Sequence, residues 1–209
     1  MSEYHKIETL YERDEKTFKV RPGVLKNRVY GAIKTWYWTE KIDGTNIRCI
    51  WKDGKLSFGG KTDAAQLPVG LINTLQTTVM PDKLRECFID PDGGEAILYG
   101  EGYGAGIQKG SGYSPTKKFI LFDVLVGGKW WLSWENTCDV AQKLGLDVVP
   151  YLGEMTLEEA SEKVRYGFSS MLGEHPPAEG MVGRTVEALF DKKGHRLIVK
   201  LKTRDFGPI

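Results

Sequence analysis

The first forty residues of the chain alternate charged and apolar positions, and two runs that begin at residues 36 and 45 predict β-strands. WYWTEKID (36–43) and TNIRCIWKDGKLSFGG (45–60) are rich in aromatic and β-branched residues, which are typical of strands. Inside the second run, KDGK at 52–55 is a strong signal for a tight hairpin turn. We therefore expect two strands joined by that turn, preceded by another strand.

The pattern becomes helical from residue 67 and again from residue 133. LPVGLINTLQTTVM (67–80) predicts one helix, and PDKLRECF predicts a short one that begins at Pro81. SWENTCDVAQKLG predicts a helix ended by Gly145. TLEEASEKVRYGFSSML predicts a fourth, because Thr156 and Glu159 have the spacing of a capping box.

Strand patterns return between and after these helices. EAILYGEGYG (95–104) and KKFILFDVLVGGKWWL (117–132) predict strands, and the second of these reverses at the glycine pair 127–128. EGMVGRTVEALF, a DKKG turn and RLIVKLKTRDF predict a final pair. Strands before, between and after helices indicate an α/β (α+β) fold with mixed, mostly antiparallel sheets and flanking helices. Without repeats or linker-like segments, we expect residues 1–209 to form a single domain.

Composition narrows the class of protein only slightly. The 209 residues are 41% hydrophobic and 27% charged, which is ordinary for a globular protein. A net charge of +1 is not that of a protein that coats nucleic acid, although it leaves a local basic groove possible. The apolar runs are too short to span a bilayer. Three scattered cysteines suit a reducing cytoplasm and argue against a disulfide framework or a zinc site.

Lys41 is the first candidate for chemistry. It lies in TEKIDGTNIR between Glu40 and Asp43, on a predicted strand that ends at a glycine bend. An amine is a nucleophile only when unprotonated, and the ordinary lysine pKa of about 10.4 leaves little free base at neutral pH. Burial and neighbouring cations favour the neutral amine. On its own, however, a lysine near a strand end is usually a solvated edge residue.

The glycine-rich segment LYGEGYGAGIQKGSGY (98–113) invites comparison with a dinucleotide-binding loop. That interpretation requires a helix immediately after the glycines, and the following IQKGSGYSP is full of helix breakers. A strand that ends near Glu101 and continues into a flexible loop describes the segment better. The Glu101 carboxylate could then bind a ribose hydroxyl or a metal ion.

Three further segments are unremarkable one at a time. Asp123 in FILFDV could be a surface acid near a turn, and Glu179 in EGMV could be a solvated strand end. Lys200 and Lys202 lie two apart on a predicted strand, so their side chains share one face. Two ammonium groups on one face are unfavourable unless solvent or an anion lies between them, and a triphosphate is such an anion.

Taken in chain order, six segments resemble the motif series of the covalent nucleotidyltransferases: KIDGTN, FGGKTD, YGEGYG, FILFDV, EGMV and VKLK. This superfamily contains ATP-dependent DNA ligases, RNA ligases and mRNA capping enzymes. The resemblance extends from Lys41 to Lys202 and is greatest to the phage RNA ligase 2 family. The deciding position is Asn46, five residues after the lysine. DNA ligases and capping enzymes usually have arginine there, whereas RNA ligases of this family have asparagine.

The resemblance implies a role for each matching residue. Lys41 would attack the α-phosphate of ATP and form a lysyl-adenylate. Lys200 and Lys202 would neutralise phosphate charge in the transition state. Glu179 would position a divalent metal ion, Mg²⁺ or Mn²⁺.

The nucleoside would be held by a second group of residues. Glu40 and Ile42 would contact the adenine, largely through backbone groups. Asn46 would hold the ribose or phosphate side and Glu101 the ribose. Stacking on the base would fall to Phe122, with Phe119 as the alternate.

The chain departs from the family pattern at two places. Lys61 stands where arginine is usual after FGG, which keeps the charge but loses the planar fork that binds phosphate or ribose. The chain also ends soon after VKLK, so we expect a catalytic domain without an appended oligonucleotide-binding or other C-terminal domain.

These implications leave three functions open. The first is an ATP-dependent RNA ligase, which joins a 5′-phosphate end to a 3′-hydroxyl. The second is a minimal DNA ligase, and the third is a module that adenylylates itself but seals nothing. For the first, we expect a cytoplasmic monomer that acts on RNA ends or a nicked duplex, with DNA as a possible substrate and a helper protein as a possible partner.

Overall fold

The computed structural model describes residues 3–89, 94–108 and 110–207. In that part of the chain, twelve strands and four α-helices divide into two compact units. Unit 1 comprises Met1–His5 and Asp43–Val149, and unit 2 comprises Lys6–Ile42 and Pro150–Ile209. The prediction of mixed, mostly antiparallel sheets with flanking helices is confirmed, because among the described residues every pair of strands is antiparallel apart from one.

Unit 1 is built on a five-stranded antiparallel sheet. Its strands are β5 (Thr45–Lys52), β6 (Lys55–Gly59), β7 (Ala96–Tyr103), β8 (Lys118–Val126) and β9 (Trp130–Trp131). They lie in the order β6-β5-β7-β8-β9. The predicted hairpin joins β5 to β6, where Asp53 and Gly54 both have positive φ angles, 50° and 70°. Two successive positive φ angles suit the right-handed twist of the strands.

Three helices cover one face of this sheet. They are α1 (Val69–Thr78), α2 (Pro81–Cys87) and α3 (Trp134–Leu144). Proline begins α2, and Gly145 ends α3 in the left-handed conformation, as predicted. Leu71 and Leu75 of α1 pack with Ile47 and Leu98 of the sheet in the core of the unit. The opposite face of the sheet is therefore turned away from the helices.

Unit 2 contains a second five-stranded sheet. Its strands are β1 (Glu8–Thr9), β4 (Trp36–Lys41), β10 (Tyr151–Met155), β11 (Gly180–Arg184) and β12 (Ile198–Lys202). They lie in the order β1-β12-β11-β4-β10, and β1 pairs with β12 in parallel. A separate hairpin pairs β2 (Tyr11–Arg13) with β3 (Val20–Leu25). The sheet order places the C-terminal strand β11 between β12 and β4.

Helix α4 (Leu157–Tyr166) packs on the sheet of unit 2 and has the predicted capping box. The Thr156 hydroxyl accepts from the Glu159 N–H, and the Glu159 carboxylate accepts from the Thr156 N–H at 2.8 Å. The core of the unit is formed by Trp36, Trp38, Ala160, Val164, Met181, Val199 and Leu201, among others. Trp36 and Trp38 of β4 thus pack with residues from the last third of the chain, and the same strand ends at Lys41.

In the described part of the chain, no helix has both the length and the apolar character required to cross a membrane.

Candidate active site

Lys41, Glu179 and Lys202 form an ion-pair cluster at the end of the unit 2 sheet. Lys41 Nζ donates to Glu179 Oε2 at 2.6 Å, and Lys202 Nζ lies 2.6 Å from Glu179 Oε1. The three side chains are 22%, 11% and 14% exposed. Glu179 is therefore not the solvated strand end considered from the sequence, because both of its oxygens bind ammonium groups.

The register of the sheet explains how one carboxylate reaches two lysines. Gly180 is the first residue of the central strand β11, and its register partners are Lys41 on β4 and Lys202 on β12. Glu179, the residue before it, thus enters between the ends of the two flanking strands. A Cβ on Gly180 would lie 2.0 Å from the Leu201 carbonyl oxygen, so only glycine fits at this position.

Lys200 adds a third cation to the cluster. It lies two residues before Lys202 on β12, so the two side chains share a face. Burial lowers the pKa of Lys200 below its ordinary value, and the charges of Lys202 and Lys41 lower it further. Burial alone would raise the pKa of Glu179, but the Lys41 and Lys202 ammonium groups outweigh it and lower that pKa. Three positive charges against one carboxylate make this end of the sheet a site for an anion.

Glu40 and Ile42, on either side of Lys41, point into the protein. Ile42 is 3% exposed. Glu40 is 1% exposed, its Oε2 accepts from the Met171 N–H at 2.9 Å, and its own N–H donates to Pro150 O at 2.8 Å. Burial raises the pKa of Glu40 against the effect of hydrogen bonds from Ser170 and Met171. Both side chains are thus buried in the protein, and contact of residues 40 and 42 with adenine through backbone groups stays a prediction.

In unit 1, Asn46 and Glu101 lie directly opposite each other on β5 and β7. Opposed residues of an antiparallel pair share a face, and this is the face turned away from the three helices, because Ile47 next to Asn46 packs in the core. Among the described residues, Asn46 Oδ1 is buried and has no hydrogen-bond partner. This face of unit 1 therefore carries the amide oxygen of Asn46, which could accept a hydrogen bond, opposite the Glu101 carboxylate.

The two candidate aromatic residues differ in burial. Phe119 is 4% exposed and belongs to the hydrophobic core, where its ring fills the space beside Gly100. Phe122 is half-buried and lies at a β-bulge in β8, since Tyr99 pairs with Asp123 whereas Gly100 pairs with Leu121. A bulge can redirect a side chain out of the regular alternation.

The other predicted positions in unit 1 include a correction. Lys61 is exposed in the loop that follows β6. The prediction that Asp123 could be a surface acid is wrong: it is fully buried and accepts a hydrogen bond from the Tyr4 hydroxyl at 2.8 Å. The glycine-rich segment after β7 continues into a short 3₁₀ helix, Gly110–Gly112, rather than an α-helix. The rejection of a dinucleotide-binding loop is therefore confirmed.

A family model described as RNA ligase matches residues 34–202, which include every motif quoted above. The chain belongs to the RNA ligase family. Among curated proteins, no match is found.

Solved structures similar to this RNA ligase family member include several of Naegleria gruberi RNA ligase. One mutant with ATP and Mn has a TM-score of 0.67 and 16% sequence identity, over 97% of this chain and 61% of that chain. A second mutant with ATP and Mn has a TM-score of 0.69 and 17% identity, over 95% and 62%. A mutant with AMP and Mn has a TM-score of 0.68 and 16% identity, over 95% and 61%. This chain thus spans about 61% of the length of those proteins.

Sequence reasoning missed two buried polar residues of unit 1, Arg48 and Asp123. Arg48 is an arginine within an otherwise apolar strand, two residues after Asn46, and this position was a usable signal. Its Nε donates to Gly60 O at 2.7 Å. For Asp123 the sequence carries no signal, because its partner Tyr4 lies 119 residues away.

Proposed function

We propose that the chain is an ATP-dependent RNA ligase that acts through a covalent lysyl-AMP intermediate on Lys41. Residues 1–209 would act as one nucleotidyltransferase domain. Membership of the RNA ligase family supports the reaction, and Naegleria structures solved with ATP, AMP and Mn support the nucleotide and a divalent metal. The observation that carries the assignment of residues is the 2.6 Å contact of Lys41 with Glu179, beside Lys200 and Lys202.

In the first step, Lys41 Nζ gives a proton to water and attacks the α-phosphorus of ATP as the neutral amine; a second proton passes to water once the nitrogen is bonded to phosphorus. A nitrogen–phosphorus bond forms as the bond from that phosphorus to the pyrophosphate oxygen breaks, and pyrophosphate leaves. Glu179 orients the amine through its hydrogen bond. Lys200 and Lys202 neutralise the charge that accumulates on the phosphate oxygens, which is the main requirement of phosphoryl transfer.

Glu179 is also the residue best suited to hold a divalent cation. Its oxygens are hard ligands of the kind Mg²⁺ and Mn²⁺ prefer, and both already bind cationic groups. Among the described residues, no cluster of three or more His, Cys, Asp or Glu side chains forms a ready-made metal site. Glu179 would therefore hold the ion without a second protein carboxylate from such a cluster, and a bound ion would supply neutralisation of phosphate charge.

Unit 1 supplies the residues we assign to the nucleoside. Asn46 Oδ1 would accept a hydrogen bond from the ribose side, and Glu101 would bind a ribose hydroxyl. Phe122 would stack on the base in preference to the buried Phe119, and Lys61 would contact phosphate or ribose. In unit 2, backbone groups of residues 40 and 42 would contact the adenine.

The later steps join two nucleic acid ends. AMP passes from Lys41 to a 5′-phosphate, and a 3′-hydroxyl then attacks that phosphate and displaces AMP. We propose RNA ends or a nicked duplex as the substrate. We further propose that the enzyme is a monomer and that it is cytoplasmic, because three scattered cysteines suit a reducing compartment. A helper protein would bind the substrate where the chain alone does not.

The test is incubation with Mg²⁺ and α-labelled ATP, GTP or NAD, followed by denaturing electrophoresis. We expect labelling with ATP alone and none in Lys41→Ala. Sealing of nicked all-RNA, all-DNA and mixed duplexes then separates an RNA ligase from a minimal DNA ligase. A protein that forms lysyl-AMP but fails to seal a pre-adenylylated nick would be a self-adenylylating module, and the proposal of a ligase would be wrong.

A further inference from the structure

Arg48 on β5 is a buried arginine that anchors the segment carrying Lys61. Its side chain is 1% exposed. Nε donates to Gly60 O at 2.7 Å, and Nη2 donates to Asp63 Oδ1 at 2.8 Å. The fork of one guanidinium thus holds the residue directly before Lys61 and the residue two positions after it.

Two further contacts fix the same segment. A Cβ on Gly59 would lie 3.0 Å from Arg48 Nη2, so glycine leaves the guanidinium the space it occupies. The Asp63 N–H donates to Glu3 Oε1 at 3.3 Å. The hydrogen bond from Arg48 lowers the pKa of Asp63. The backbone of residues 60–63 is therefore held at both ends, while the Lys61 side chain remains exposed.

Fold stability alone explains this arginine poorly. Removing a guanidinium from water is unfavourable unless its partners compensate fully. Here the partner Asp63 is 61% exposed, and Nη1 is buried without a hydrogen-bond partner among the described residues. An apolar side chain of similar length would avoid both penalties. What such a side chain could not do is hold the backbone of residues 60–63 in one conformation.

We propose that Arg48 is a positioning residue that presents Lys61 to the phosphate or ribose of ATP, an inference that rests on the proposed function. A lysine binds phosphate as a single charge on a flexible stem. If the backbone of Lys61 is already fixed, binding of the nucleotide has to immobilise only the side chain, and less conformational entropy is lost. Arg48 acts through residues 60–63 and does not touch ATP itself.

The test compares Arg48→Lys in two backgrounds. The substitution keeps a cation, but one ammonium group cannot reproduce the planar fork that spans Gly60 O and Asp63. In the wild-type background we expect the KM for ATP in lysyl-AMP formation to rise about 10-fold with little change in kcat, because misplacement of a contact of this kind costs up to about 100-fold. In a Lys61→Ala background, the same substitution should change KM less than about 2-fold, because no side chain remains to be positioned.

Two variants serve as controls. Lys52→Met removes a cation from the same strand, where Lys52 pairs with Glu95, and should leave KM unchanged. Asp63→Asn weakens the ion pair without a change of shape and should show a smaller rise in KM with the same dependence on Lys61. If Arg48→Lys does not fold, Asp63→Asn tests the proposal in its place.

An equal change in KM in both backgrounds, or no change in either, would overturn the role of Arg48. The wild type separates this from a failure of the proposed function. A wild-type protein that forms no lysyl-AMP removes both proposals, whereas normal lysyl-AMP formation with an unchanged KM in the variants removes only this one.

Discussion

Lys41 and Glu179, 138 residues apart in sequence, are joined by a 2.6 Å hydrogen bond between Nζ and Oε2. The other oxygen of the same carboxylate binds Lys202. A single acid thus binds two lysines beside a third, Lys200, whose charge is not offset by that acid, and a fold selected only for stability has little reason to place them so. The consequences for stability and for activity can be measured separately.

Replacing Glu179 with glutamine should destabilise the protein. The amide cannot balance Lys41 and Lys202, so we expect a loss of about 1–3 kcal/mol in the free energy of unfolding at pH 7, the usual cost of depriving a buried polar group of its partner. Because the folded-state pKa of Glu179 is lowered, its contribution is present above the unfolded value of about 4.3 and is lost as the pH falls through the folded value. Urea denaturation should show a larger difference between the two proteins at pH 7 than at pH 3, because the contribution of Glu179 decreases below the unfolded pKa. Equal stability of the two proteins at pH 7 would contradict this.

Replacing Lys200 with methionine should have the opposite effect on stability and abolish lysyl-AMP formation. Lys200 is a partly buried cation beside Lys41 and Lys202, and its removal relieves burial of charge and repulsion. We expect a gain of about 1 kcal/mol, the size that a single stabilising substitution commonly gives. Since the pKa of Lys200 is lowered in the folded state, the gain should be full at neutral pH and vanish as the pH approaches the unfolded value of about 10.4.

A matched control for Lys200→Met is Thr156→Ala. This variant removes the hydroxyl that caps α4 and should lose about 1 kcal/mol of stability. Thermal denaturation and ATP labelling of both variants would then show activity and stability changing independently. If Lys200→Met retains labelling, the role assigned to Lys200 is wrong.

The two phenylalanines of β8 should behave differently when truncated. Phe119→Ala opens a cavity in the unit 1 core and should cost about 3–5 kcal/mol of stability. Phe122→Ala should be milder in stability but should raise the KM for ATP, because the proposed stacking on adenine is lost. Chemical denaturation and steady-state labelling distinguish them. A larger KM effect from Phe119→Ala in protein that is still folded would reverse the assignment.

Gly180→Ala tests the packing that places Glu179. The added Cβ would meet the Leu201 carbonyl oxygen, which belongs to the backbone and cannot move without disturbing β12. We expect a loss of more than about 3 kcal/mol, or no folded protein. Gly207→Ala is the control, because a Cβ there has open space around it. Similar thermal stability of the two variants would show that the close approach at Gly180 is not required.

Local features of the fold could be predicted from the sequence because their causes are local. Pro81 begins α2, Gly145 ends α3, and Thr156 with Glu159 caps α4, as expected from residues within one turn of each position. The hairpin at Asp53 and Gly54 follows from the same kind of short-range rule.

The features that the sequence did not predict depend on pairing between distant segments. Nothing in EGMV indicates that β11 lies between β4 and β12, so the double ion pair of Glu179 could not be foreseen. Asp123 was mistaken for a surface acid because its partner Tyr4 is far away in sequence. The shared face of Lys200 and Lys202, by contrast, follows from strand periodicity alone.

The central claim is that Lys41 carries AMP, and the most direct measurement is mass spectrometry of the protein after incubation with ATP and Mg²⁺. We predict one added adenylate per chain, found by peptide mapping on Lys41 and absent from Lys41→Ala. An unmodified protein, or an adenylate on any other residue, would contradict the account.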